Sequence, residues 1–144
     1  MEEQLMPYLR VGAICDLVLE EKTGVLSVIR LIDTLEVTAE GMEVPVELPP
    51  GQSTITAVMS WVGGLGTYEA KVKIITPTGD TIETMTFPFH LDSLIRSQNI
   101  IVKVTIPVQK DGVYWIEFLL GDEVRSRVPW RVIYKRIKHP RPKS

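Results

Sequence analysis

The stretch "TYEAKVKII", residues 67–75, alternates without interruption. Tyr68, Ala70, Val72 and Ile74 fall on one parity, and Glu69, Lys71 and Lys73 fall on the other. Successive side chains of a strand point to opposite faces, so the first set is expected in a core and the second in water. The same alternation, rich in β-branched and aromatic residues, recurs on both sides and is punctuated by Gly, Pro and Asp. Upstream it predicts strands over Tyr8–Leu19, Val25–Leu35 and Ser53–Trp61. Downstream it predicts them over Thr81–Phe89, Asn99–Pro107, Val113–Leu120 and Val124–Tyr134. Apolar residues at i, i+3, i+4 and i+7 are never sustained for three turns, so no long helix is expected. "HLDSLIRSQ" (90–98) has room for one short helical turn. About eight short strands separated by turn signals predict an all-β fold, an antiparallel β-sandwich of the immunoglobulin-like kind.

The connectors support that reading. "EEKTG" (20–24), "TPTGD" (76–80), "QKDG" (109–112) and "GDE" (121–123) carry the residues that favour tight reversals. "GGLG" (63–66) lacks the Lys-Ser/Thr of a phosphate loop and leads into a strand, so it reads as a hairpin turn. Residues 36–51, "EVTAEGMEVPVELPPG", hold three prolines, which bar them from a central strand, and are expected to cross between the sheets. Residues 1–134 then form a single sandwich domain, and residues 135–144 a basic, proline-containing tail.

Composition narrows the class. With 44% hydrophobic and 24% charged residues, the chain of 144 is an ordinary globular protein. Its N-terminus, "MEEQLMPYLR", opens with two acids where a secretory signal carries basic residues, and charges interrupt every apolar run before membrane-spanning length. One cysteine excludes an intrachain disulfide and agrees with a reducing compartment, so a cytoplasmic location is expected. The net charge of −2 conceals an asymmetry. Eighteen acids and eight Lys or Arg lie at or before residue 123, and eight Lys or Arg with no acid follow.

Reactive constellations are scarce. His90 and His139 lack metal-ligand spacing, and Cys15 sits in an apolar strand where a thiol usually packs as a small hydrophobe. Asp16 and Asp33 interrupt apolar strands, with Arg30 as a candidate partner, and predict a buried or half-buried clamp between the first two strands. A carboxylate pair without a nucleophile, metal ligand or phosphate cradle defines no reaction, so neither an enzyme nor a cofactor is expected.

Binding surfaces are better represented. If Tyr114, Ile116, Phe118 and Leu120 face the core, Val113, Trp115 and Leu119 form an outward apolar stripe. That stripe needs a cover, either the 36–51 crossover or a protein partner. The tail, "YKRIKHPRPKS", contributes Lys135, Arg136, Lys138, Arg141 and Lys143, with Pro140 and Pro142 favouring an extended course. Those five cations suit docking on an acidic protein surface, and offer RNA or the ribosome as the alternative, at weak and salt-dependent affinity. The expected function is a non-enzymatic interaction module with a protein partner or homo-oligomer. Small-molecule or carbohydrate binding is a second alternative.

Beyond these physical signals, Cys15-Asp16, Gly24, Asp33, Pro49, Gly79-Asp80, Gly112 and Tyr114 form a pattern. Between about Val11 and Ile133 the chain resembles a family of small prokaryotic cytoplasmic proteins of unassigned function. The resemblance implies a β-sandwich with no catalytic set to carry over. Arg30 departs from the pattern, where a small residue is more usual, and the tail lies outside it.

Overall fold

The strand expected at 67–75 forms as Gly66–Ile75, with Tyr68, Ala70, Val72 and Ile74 all buried. In the computed structural model, which describes residues 5–141, it is β5 of ten strands. The others are β1 Tyr8–Glu20, β2 Leu26–Leu31, β3 Thr34–Gly41, β4 Gly51–Val62, β6 Thr81–Glu83, β7 Phe87–Leu91, β8 Gln98–Val108, β9 Gly112–Leu120 and β10 Glu123–Lys138. No helix occurs among the described residues, and 92–97 passes through bends instead of a helical turn.

Two sheets make a sandwich. One has the order β2-β1-β4-β8, and the other runs β3-β10-β9-β5, with β6 and β7 each pairing with β5. Alternate residues of β4 (Ile55, Ala57, Met59, Trp61) and β8 (Val102, Val104, Ile106, Val108) meet the inward residues of β5, β9 and β10 in one core. Trp61 stacks on Phe89 with centroids 5.8 Å apart, and Tyr114 meets Trp130 edge-on at 5.3 Å, the offset and edge geometries that aromatic quadrupoles favour. Tyr114 Oη donates to the Lys110 carbonyl at 2.7 Å, which gives the buried phenol its partner and ties down the turn before β9.

The run expected as a single strand over Val25–Leu35 is two strands in different sheets. Arg30 has a left-handed φ of 58°, and the chain then steps across the sandwich. The Ile32 amide donates to the Ile14 carbonyl of the first sheet at 3.1 Å, and the Asp33 carbonyl accepts from Arg131 of the second at 2.8 Å. The sheet crossing therefore lies at Ile32–Asp33, upstream of the proline-rich stretch, and Thr34–Gly41 is strand, not connector. Pro45, Pro49 and Pro50 fall after it, where their missing N–H groups break no ladder. β3 runs parallel to β10, whereas the other strand pairs among the described residues are antiparallel.

Two further expectations change. The Thr81–Phe89 strand is interrupted after Glu83, because the Thr84 hydroxyl accepts the Val72 N–H at 3.0 Å while its amide donates to the Val72 carbonyl. "GGLG" is an inter-sheet corner and not a hairpin, since β4 and β5 belong to different sheets. Gly63 and Gly64 are needed there because an added Cβ would lie 2.7 Å from the Tyr8 ring and 2.8 Å from Tyr68 Oη respectively.

The last correction concerns the tail. β10 does not stop at Tyr134: Lys135, Arg136 and Lys138 pair with Thr38, Ala39 and Gly41 of β3, and the His139 amide donates to the Gly41 carbonyl. Residue 134 is therefore not a boundary. Lys143 and Pro142 lie outside the described residues. Truncation after Tyr134 should consequently cost roughly 2–4 kcal/mol, at about 1 kcal/mol net per lost ladder bond, read as a lower thermal midpoint. Truncation after His139 should leave the midpoint unchanged.

Candidate functional site

β9 presents Val113, Trp115, Glu117 and Leu119 to the outer face of the six-stranded sheet. Its neighbours there set three rows: Ile75–Trp115–Pro129, Lys73–Glu117–Arg127 and Lys71–Leu119–Val124. Leu119 is 4% exposed, so it is not part of a free stripe. Beside it Lys71 is held by Asp122 at 3.1 Å and Glu83 at 3.8 Å, with the Asp122 bond chiefly raising its pKa. Trp115 is half-buried under the Arg127 guanidinium, 4.3 Å from the ring centroid, a cation–π contact that covers the indole face. Only Val113 of the three remains exposed. The cover comes from these long side chains of neighbouring strands, not from the 42–50 connector. That connector is anchored elsewhere, by Tyr134 Oη to the Pro45 carbonyl, Arg136 to the Val44 carbonyl, and Leu48 in the core.

The basic segment is likewise engaged. Lys135 stands 3.9 Å from Glu36, His139 bonds Glu40, and Arg141 lies 3.5 Å from Glu43. Parallel pairing of β10 with β3 sets this up, because the acids of β3 and its continuation then run beside the cations of β10. All these groups are well exposed, so each pair contributes little to stability, yet together they offset the charge that an extended tail would project.

Asp16 and Arg30 do pair, at 3.3 Å, but both are largely exposed, which replaces the buried clamp with a surface contact. Asp33 acts through its backbone carbonyl at the sheet crossing. His90 Nδ1 lies 3.0 Å from Thr67 Oγ1, and no group of three His, Cys, Asp or Glu among the described residues could hold a metal. Cys15 is fully buried between Thr56 and Leu31, and burial raises its pKa against the lowering effect of the Leu17 amide.

The surface that sequence reasoning missed is the β1–β2 hairpin. Leu17, Leu19 and Leu31 are 45, 50 and 72% exposed, and Val25 joins them at the turn. Register places Leu17 opposite Ile29, and Leu31 opposite Cys15, so these residues share one face. A signal was available: Leu17, Val18 and Leu19 are apolar on both parities, which a strand with one solvated face does not need.

Residues 10–133 match a family described as a family of unknown function (DUF6941). The chain belongs to that family. The matched span agrees with the resemblance drawn on Val11 to Ile133, and it ends inside β10, before Lys135 and His139, whose side chains contact Glu36 and Glu40. No curated protein matches the chain.

Native Cys15 should react with a thiol reagent on the order of 100-fold more slowly than in denaturant, because attack requires a thiolate and burial disfavours it. A native rate equal to the denatured rate would contradict the packing of β1 between β2 and β4.

Proposed function

We propose that this protein is a non-enzymatic, cytoplasmic interaction module that docks protein through the open edge of β2, with a second copy of itself as partner. The observation that carries this reading is that β2 is the unguarded edge of the sandwich. An edge strand offers unpaired N–H and C=O groups to another chain, and proteins blunt edges with Lys, Pro, charge or shortness. β8 carries Lys103 and Pro107, β7 carries Pro88, β6 is three residues long, and β3 bears Glu36 and Glu40. β2, "LSVIRL", has one charge, Arg30, next to its last residue and with a left-handed φ.

Self-pairing suits this edge. An antiparallel twofold centred between Val28 and Ile29 sets Leu26 against Leu31 and Ser27 against Arg30, with no like charges opposed. It would also bring the exposed leucines of each hairpin beside their copies, removing apolar surface from water. The groups that could serve chemistry have structural occupations: Cys15 is buried, Asp16 pairs with Arg30, and His90 and His139 bond Thr67 and Glu40. RNA binding by the basic segment would have to displace Glu36, Glu40 and Glu43, which favours the protein partner over the polyanion.

Sedimentation tests the proposal. The wild type should run at about twice 16.2 kDa at micromolar concentration, and Leu19→Lys/Leu31→Lys should run as a monomer with its thermal midpoint within a few degrees of wild type, since both residues are half exposed or more. A monomeric wild type at roughly 100 μM, or a dimeric variant, would overturn it.

A further inference from the structure

We infer that a cleft between the β1–β2 hairpin and the outer face of the four-stranded sheet binds a small organic anion with an apolar body. The cleft encloses about 370 Å³, within the roughly 300–1,000 Å³ of small-molecule sites. Its floor is Val58, an outward residue of β4 that is nonetheless 1% exposed because the hairpin overlies it. Val25, Leu26 and Val28 of the hairpin and Val11 of β1 form apolar walls, and among the described residues no acid contributes to the lining.

The cation at this cleft is placed by an irregularity in the strand. β1 pairs Leu9 with Trp61 and Val11 with Ser60, so Arg10 is the extra residue of a β-bulge. A bulge breaks the alternation locally and re-aims one side chain, a device found beside functional sites. Here it brings Arg10 Nε to Ser60 Oγ at 2.9 Å. That bond fixes the guanidinium plane and leaves the two terminal nitrogens for a carboxylate, which Arg binds bidentately. Among the described residues no acid forms an ion pair with Arg10, whereas Arg30, Arg125 and Arg141 each have one. Asn99 lines the same cleft from β8, opposite Ser60 in the ladder, and adds a polar group beside the guanidinium.

A carboxylate and an apolar body together describe a medium-chain acyl carboxylate, of which an N-acyl amino acid is one example. The cleft shares Leu26 and Val28 with β2, but neither Leu19 nor Leu31, the two residues changed in the monomeric variant, lines it.

The test is a titration of the ¹⁵N-labelled protein with N-octanoylglycine, with octylamine as the cationic control of similar apolar length. N-octanoylglycine should shift the amides of Val11, Val58, Ser60 and Asn99, and octylamine should leave them in place. Arg10→Gln should weaken binding about tenfold without changing the thermal midpoint, because the side chain is at the surface. The monomeric Leu19→Lys/Leu31→Lys variant should bind as the wild type does. The assignment is overturned by absence of localised shifts at millimolar N-octanoylglycine, by equal binding of octylamine, by undiminished affinity of Arg10→Gln, or by loss of binding in the monomeric variant.

Discussion

Two consecutive residues, Ile32 and Asp33, carry the chain from one sheet to the other, and the rest of the sandwich follows from that step. Arg30 turns the backbone into the left-handed region, the Ile32 amide takes its last bond from β1, and the Asp33 carbonyl takes its first from β10. Because both backbone groups find partners during the crossing, the step needs no loop. A left-handed φ at an arginine carries strain of order 1–3 kcal/mol, which the ladders on either side must outweigh.

Two surfaces are consequences of the crossing. On the first sheet it ends β2 early, so the β1–β2 hairpin is a two-stranded ribbon with an open edge and exposed leucines. On the second it starts β3 parallel to β10, which extends β10 to Lys138 and lays the basic end of the chain beside Glu36, Glu40 and Glu43. The charge asymmetry along the sequence is thus largely folded back on itself. Apolar surface is left displayed on the opposite sheet, and the overlying hairpin also creates the cleft in which the bulged Arg10 stands.

The sheets were legible in the sequence where one parity was buried, as at Tyr68, Ala70, Val72 and Ile74, because period two is a direct imprint of a half-buried strand. The crossing was not legible, since it uses neither Gly nor Pro and lies within a continuous apolar run. Parallel pairing of β3 with β10 joins residues nearly a hundred positions apart, which no local pattern records, so the basic end read as a projecting tail. Trp115 was correctly set on the outer face of β9. Its cover, Arg127, is a cross-strand diagonal neighbour, visible only once the register is known. The hairpin's two-sided apolar pattern was present but looked like ordinary core.

The central claim, that the crossing at Ile32–Asp33 commits the end of the chain to a parallel ladder, is tested most directly by native amide hydrogen exchange at residues 135–139. Ladder bonds to β3 predict exchange orders of magnitude slower than an unstructured chain for the paired amides of this segment, including the His139 amide bonded to Gly41. Exchange at the unstructured rate throughout 135–139, with β9 still protected, would contradict it.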